Sequence, residues 1–331
     1  MIDDRPRAFS GARVFYKIRR GRMKKDRENG RLGYLFILAA GILWGFIGLF
    51  VKQLEANGST PETTAFLRMA CAFLLYLPLC AAGAGPGSLR IKWKELLFCA
   101  AQGLVCYGLF NMMYSRAVTM VGVSVGAVLL YTAPVFTLFF SVLLFREPFT
   151  SRKLLAVLLN ILGCALTATG GRLEPGALSV AGILTGIGAG FCYSLTPVFG
   201  HFGTKRMDSR VMTLYSFLFA ALFLFLRLRP WNGGAAFSGK ILLWGALFAL
   251  IPTVLAYVLY YRGLSRIPEP SRVPVIASVE TVVAAAVGMA LYHDRLGLWG
   301  MLGILLVLVS IGVMNLPDPK KQGKTRQITG K

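Results

Sequence analysis

LLYTAPVFTLFFSVLLFREPF at residues 129–149 and IASVETVVAAAVGMALYHDRL at residues 276–296 are two versions of one segment, and their spacing organises the chain. Each is an apolar run closed by a basic residue and an acid, Arg146-Glu147 in the first and His293-Asp294 in the second. A helix of about 20 such residues crosses the roughly 30 Å hydrocarbon layer of a bilayer at 1.5 Å per residue. The offset between the two is 147 residues, and it also carries Gly41 to Gly188, Trp44 to Phe191 and Arg68 to Tyr215. The correspondence therefore extends over most of each half, as expected of an internal repeat.

Working outward, hydropathy with Pro, Gly and charge punctuation predicts ten spans, near 33–52, 63–82, 95–115, 121–145, 152–170, 177–199, 210–229, 240–261, 272–292 and 297–316. The expected fold is an all-α integral membrane protein of two five-helix repeats, 33–170 and 177–316, between basic tails at 1–32 and 317–331. Five crossings are an odd number, so the second copy enters the membrane from the opposite face. Such inverted repeats are an architecture of secondary transporters.

Composition agrees with this class. The 331 residues are 56% hydrophobic and 15% charged, with a mean hydropathy of +0.63, whereas soluble domains are about a quarter charged. The net charge of +22 would suit nucleic acid, but half of it sits in the two tails and most of the rest between apolar spans. That placement reads as topology and contact with anionic lipid, and excludes nucleic acid as the expected partner. Met23 opens MKKDRENG just before the first span, so the preceding 22 residues read as an upstream mis-start.

Ten spans put both tails on one side, and their basic character places them in the cytoplasm. The connections then expected inside carry twelve basic residues over four loops, and those outside carry seven over five. Compact loops point to a bacterial inner membrane.

The motifs AAGILWGFIGLFVK (39–52), TTAFLRMACAFLLYLP (63–78), LLFREPF (143–149) and SVETVVAAAVGMALYHDRL (278–296) resemble the two EamA domains of the drug/metabolite transporter superfamily. The resemblance covers about residues 33–316. It implies a transporter whose first, third, fourth, sixth and eighth spans line a central cavity. The sequence departs from the family pattern in its second copy, where the usual acidic-Pro pair reads Glu280-Thr281 and the closing glutamate is Asp294.

Glu280 is the carboxylate most surrounded by apolar sequence, and an ionised group in hydrocarbon costs several kcal/mol unless paired, hydrated or protonated. It reads as an inward-facing group that binds a cation or a proton, or as a structural hydrogen-bonding carboxylate. Arg68 reads as a snorkelling side chain or as a group that attracts an anion. Trp44, Tyr107, Asn111, Tyr131, Tyr193 and Tyr257 complete the expected substrate-binding set, because aromatic walls with few polar groups suit small organic ligands. Pro134 and Pro274 are the expected gating elements, each removing a backbone donor and kinking its helix. Glycines spaced by four, at 182, 186 and 190 and at 41 and 45, let helices approach closely within the bundle or, as the alternative, across a homodimer.

Other chemistries find no support. The six cysteines lie in or beside apolar spans without a C-x-x-C pair and read as small core residues. His201 and His293 lack partner ligands, TGIGAG (185–190) lacks the dinucleotide spacing, and no Walker loop is present. The expected protein is not an enzyme and uses no cofactor or metal. The reading that follows is a secondary transporter, an exporter of a small organic metabolite; the alternative is a flippase of lipids or other amphiphiles with the same fold.

Overall fold

A computed structural model describes residues 30–84, 89–172, 179–229 and 237–316. Most of both basic tails, including Met23, lies outside the described residues. All the regular elements among the described residues are helices.

Nine described helical segments are long and apolar enough to cross a membrane. The first two are α1 (Gly30–Ala56) and α2 (Pro61–Ala84). The third, Trp93–Phe145, is 53 residues long, which as a straight helix would reach about 80 Å. It is folded in two. At Gly122 the backbone turns to φ 81°, ψ 162°, and a Cβ placed on Gly126 would lie 3.0 Å from Val118 Cγ2. Residues eight apart in one helix are separated by about 12 Å of rise, so the chain has doubled back. The two arms are α3 (93–121) and α4 (123–145), and they bring the crossings to ten. The remaining six are α5 (Ser151–Thr169), α6 (Val180–Gly203), α7 (Ser209–Leu228), α8 (Gly239–Leu264), α9 (Pro270–Tyr292) and α10 (Leu298–Asn315).

Two expectations need correction. The third connection was expected after residue 115, at Arg116 and Thr119, but both remain helical and the Thr119 hydroxyl donates to the Arg116 carbonyl at 2.8 Å. The reversal waits for Gly122 because a side chain would be strained at that backbone angle. Pro134 and Pro274 do not interrupt continuing helices. Each lies at the first or second position of a helical segment, where a proline is tolerated because the first N–H groups have no helical partner. The breaks lie nearby instead, at Tyr131 (φ −70°, ψ 5°) and Ser278 (φ −63°, ψ −5°).

Those two breaks are 147 residues apart, and other irregularities keep the same interval. A π-helical stretch occupies Gly103–Leu109 in α3, and another opens 147 residues later at Leu250–Leu255 in α8. The second has a visible cause. Pro252 cannot donate to the Phe248 carbonyl and its ring crowds that group, so the turn widens. Thr253 Oγ1 donates to the freed carbonyl at 3.1 Å. The fourth and ninth crossings each end in a left-handed residue, Arg146 and Asp294's neighbour His293. The next N–H then closes back on a carbonyl, Glu147 on Ser141 and Asp294 on Gly288, both at 3.2 Å. The repeat is thus expressed in the backbone as well as in the letters.

Close packing follows the glycines. On α1, a Cβ at Gly45 would stand 2.5 Å from Val283 Cβ and 3.0 Å from the Glu280 carbonyl oxygen, so α1 meets the broken part of α9 with no room for a side chain. Many large apolar side chains point outward, Leu35, Leu74, Leu143, Leu184 and Leu226 among them. In water these would be a liability; toward lipid they match the solvent.

Candidate functional site

Arg68 projects from α2 into the bundle and is only 9% exposed. Its Nε donates to Thr253 Oγ1 at 2.9 Å, and its guanidinium lies 4.9 Å from the centre of the Phe248 ring. The π-helical turn is what makes this possible. The Thr253 hydroxyl spends its own proton on Phe248, so its oxygen is left to accept from arginine. Arg68 has no other described partner, which leaves both Nη groups unused.

Glu280 stands just past the α9 break at Ser278 and is half-buried. Its carboxylate makes no hydrogen bond or ion pair with a described residue. Arg68 is the charged group whose field reaches it, and Glu280 in turn acts on Arg68, yet the two are not in contact. An ionised carboxylate in this position requires water or a ligand, since leaving a buried charge unpaired is costly.

Several tyrosines lie near these two charged residues. Tyr107, Tyr193 and Tyr257 lie within electrostatic reach of Arg68, while Tyr114, Tyr131 and Tyr193 do so for Glu280. Trp44 packs at 5.4 Å from Tyr257 and 5.2 Å from Tyr260, with its indole N–H unpartnered among the described residues. Tyr131 and Thr281 share a hydroxyl bond of 2.6 Å that joins the α4 break to α9. Tyr193 meets Phe110 at 5.3 Å. Asn111, half-buried, donates from its Nδ2 to the Tyr107 carbonyl one turn earlier at 2.6 Å.

Behind the wall, Ser216 Oγ donates to Gln102 Oε1 at 3.2 Å, Gln102 Nε2 donates to Tyr261 Oη at 2.6 Å, and Tyr261 and Tyr107 share a short hydroxyl bond. This chain ties α7, α3 and α8 together with each link satisfied, the condition under which a polar network in an apolar interior holds its members in place. Gln102, Thr253, Tyr114 and Tyr261 were not anticipated. Gln102 carried a usable signal as an amide inside an apolar span, whereas Thr253 gains its role from Pro252 one residue before it.

A second cluster closes one end of the bundle. Lys153 Nζ lies 2.8 Å from Glu147 Oε2 and 3.1 Å from Glu269 Oε2, and Arg272 Nε lies 2.8 Å from Glu269 Oε2. Ser271 donates from its hydroxyl and its N–H to the Glu147 carboxylate, and Arg272 Nη1 donates to the Met314 carbonyl at 2.9 Å. Burial raises the Glu269 pKa, but Arg272 and Lys153 lower it further and hold the carboxyl down at about 2. In these contacts each acid faces a cation, as a buried charge network requires. An apolar groove of about 310 Å³ on the outside of the bundle, lined by Leu104, Phe219, Leu222, Phe223, Leu226 and Arg227, includes none of the expected site residues.

Comparison with known proteins identifies the family and the fold. A transporter of Archaeoglobus fulgidus, named only as uncharacterized, is 27% identical over 288 residues, spanning 85% of this chain and 95% of its own. The uncharacterized transporter YwfM of Bacillus subtilis is 26% identical over 301 residues, 88% of this chain and 96% of its own. A solved crystal structure superposes with a TM-score of 0.72 at 16% identity, covering 86% of this chain and 96% of that one, which shows a common fold. The sequence profile of the EamA-like transporter family matches twice, over residues 31–169 and 180–316. The chain is therefore a multi-pass membrane protein that belongs to the EamA-like transporter family.

Proposed function

We propose that this chain is a secondary transporter that exports a small organic metabolite by alternating access between its two five-crossing repeats. The observation that carries the proposal is the unequal state of two ends that the repeat makes equivalent. At one end, Glu147 is buried and bonded to Ser271. The 147-residue interval carries Glu147 to Asp294 and Ser271 to Ser124, yet Asp294 and Ser124 are exposed and their side chains make no described bond. One end is joined by these bonds, while its counterpart makes none among the described residues. Two copies of one fold can exchange those states if each repeat adopts the conformation now held by the other.

The excess of basic residues in the loops on the Glu147 side supports placing that end, with both termini, in the cytoplasm. The conformation then corresponds to an outward-open cavity with Arg68 and Glu280 as its charged poles. Trp44, Tyr107, Tyr131, Tyr193 and Tyr257 supply its aromatic wall, and the helix starts at Pro134 and Pro274 flank the moving breaks.

The test is counterflow in proteoliposomes preloaded with pooled amino acids, nucleosides, sugars and organic cations. Saturable exchange by wild type, lost in Glu280→Gln, is the expected result. Correctly folded protein that exchanges no pool but equilibrates a fluorescent lipid between leaflets would overturn the metabolite reading in favour of an amphiphile flippase.

A further inference from the structure

We infer that the Glu147 end carries a one-sided lock: the charge network there holds the empty protein shut at that end, while the equivalent end lacks the residues to build one. This deepens the transport reading and rests on it. Glu147 and Lys153 belong to the first repeat, Glu269, Ser271 and Arg272 to the second, and all five are buried. The 3.1 Å link from Lys153 Nζ to Glu269 and the two bonds from Ser271 to the Glu147 carboxylate join one repeat to the other. Lys153 Nζ also holds Glu147 at 2.8 Å, so a single ammonium stands between an acid of each repeat.

The repeat shows what the other end has in place of these groups. α5 and α10 start 147 residues apart, at Ser151 and Leu298, so Lys153 and Gly300 are each the third residue of their helix. Glu269 and Gly122 likewise stand just before α9 and α4 begin. At the same interval Arg272 corresponds to Val125. The Asp294 end therefore keeps one acid and the serine at 124, with no lysine, second acid or arginine at the equivalent positions. Arg295, beside Asp294, takes the place of Pro148 and is exposed. The Asp294 carboxylate is turned onto its own helix, where a Cβ on Gly288 would lie 2.7 Å from Oδ2.

This difference decides which end closes more firmly. In the exchanged state Glu147 and Ser271 take the arrangement now held by Asp294 and Ser124, which are exposed and share no described bond. Opening the Glu147 end breaks contacts among four buried charged groups. Closing the Asp294 end in return buries one carboxylate against a serine, with no cation at the equivalent position, and a buried charge without a counter-charge is unfavourable. At Glu269 the cations more than offset burial and hold the carboxyl down at about 2, so this acid is more stable as an anion inside the cluster than in water. The empty protein therefore rests with the Glu147 end closed. A solute arriving from that side binds only the fraction that is open, and its apparent affinity falls by that fraction. With the Glu147 end in the cytoplasm, export starts only when the internal solute is abundant, and basal loss of the metabolite is held down.

The test is double electron–electron resonance on spin-labelled full-length protein in lipid nanodiscs, with no solute added. The six native cysteines are replaced by alanine, and labels are carried on Phe149→Cys with Ser265→Cys at one end and Val123→Cys with Leu298→Cys at the other, all exposed positions. With the lock intact each pair should give one main distance, the minor state staying below about a tenth. Glu147→Gln with Lys153→Met removes one acid and one cation, and should raise the minor-to-major ratio by about tenfold or more, widening the first pair while narrowing the second. Ser271→Ala keeps every charge and should raise the ratio several-fold, which serves if the charge variants fail to fold. Two comparable populations with the lock intact would overturn the inference. So would variants that leave both distances unchanged, or that widen the first pair without narrowing the second, the pattern of a merely structural network. Wild-type counterflow tells the failures apart: exchange alongside any of those results sinks the lock and keeps the transporter, whereas reciprocal populations with no pool exchanged sink the transporter.

Discussion

Arg146 and His293, 147 residues apart, hold the same left-handed backbone conformation, φ 53°, ψ 35° and φ 56°, ψ 28°. Both side chains are exposed, so the conformation serves the turn and not a side-chain contact. A left-handed residue with a Cβ costs about 1–2 kcal/mol, and glycine avoids this at some cost in chain entropy. Arg146→Gly and His293→Gly should therefore each raise the midpoint of thermal unfolding in detergent by one to a few degrees, read by intrinsic fluorescence. A drop in either would mean that the side chain matters in a way the geometry does not show.

Gly122 is the opposite case. Its φ of 81° and ψ of 162° fall in a region that is essentially closed to other residues, with a strain cost of order 1–3 kcal/mol. Gly122→Ala should lower stability by about that amount. Gly48→Ala is the control, because a Cβ there meets nothing within 4 Å and the backbone is helical; its unfolding midpoint should stay where it is or rise slightly.

Lys153 lies between Glu147 and Glu269 with its side chain 2% exposed. Lys153→Met leaves two acids facing one another with Arg272 as the remaining described cation in the cluster. Breaking a buried charge network by removing one partner costs about 3–5 kcal/mol, and a loss of that order is expected in equilibrium or kinetic unfolding. Adding Glu147→Gln should recover part of it, a pattern that two independent sites would not give.

The same network sets an acid dependence. The Glu269 carboxyl is depressed from 4.5 to about 2. Its contribution to stability is complete above its unfolded-state value and is lost as pH falls through the folded one. The unfolding midpoint should therefore fall between about pH 4.5 and 2, and Glu269→Gln should flatten that part of the profile. An unchanged slope in the variant would place the acid sensitivity elsewhere.

Alternating access makes a prediction about the far end. Ser124 and Asp294 share no described bond in this conformation, and a Ser124→Cys, Asp294→Cys pair should come within disulfide reach when the Glu147–Ser271 contact opens. Oxidation during turnover should yield a cross-linked form that no longer exchanges solute and recovers on reduction. Failure to cross-link in protein that does exchange would count against the repeat-swapped gate.

Much of this molecule is legible in its sequence. Apolar runs of bilayer length must cross the membrane as helices, because no water is present there to satisfy an open backbone; this fixes the crossings without knowledge of their neighbours. The interval of 147 between FREPF and HDRL implies the twofold repeat. Glu280 and Arg68 stand out by charge alone, and glycines at spacing four announce close helix packing. These signals are local, or periodic along one chain.

What only the tertiary structure decided lies between helices. Sequence placed the third turn between residues 115 and 121, but a φ of 81° selects Gly122. It expected Pro134 and Pro274 to kink their helices, whereas each lies near the start of a helical segment and the breaks are at Tyr131 and Ser278. It missed Thr253, whose hydroxyl binds Arg68 from 185 positions away because a proline widened the turn between them and Phe248. The physical reason is one throughout. Burial in a bilayer depends on the residue itself, whereas a hydrogen bond between two crossings depends on where both backbones bend, and its two partners lie up to half the chain apart or more.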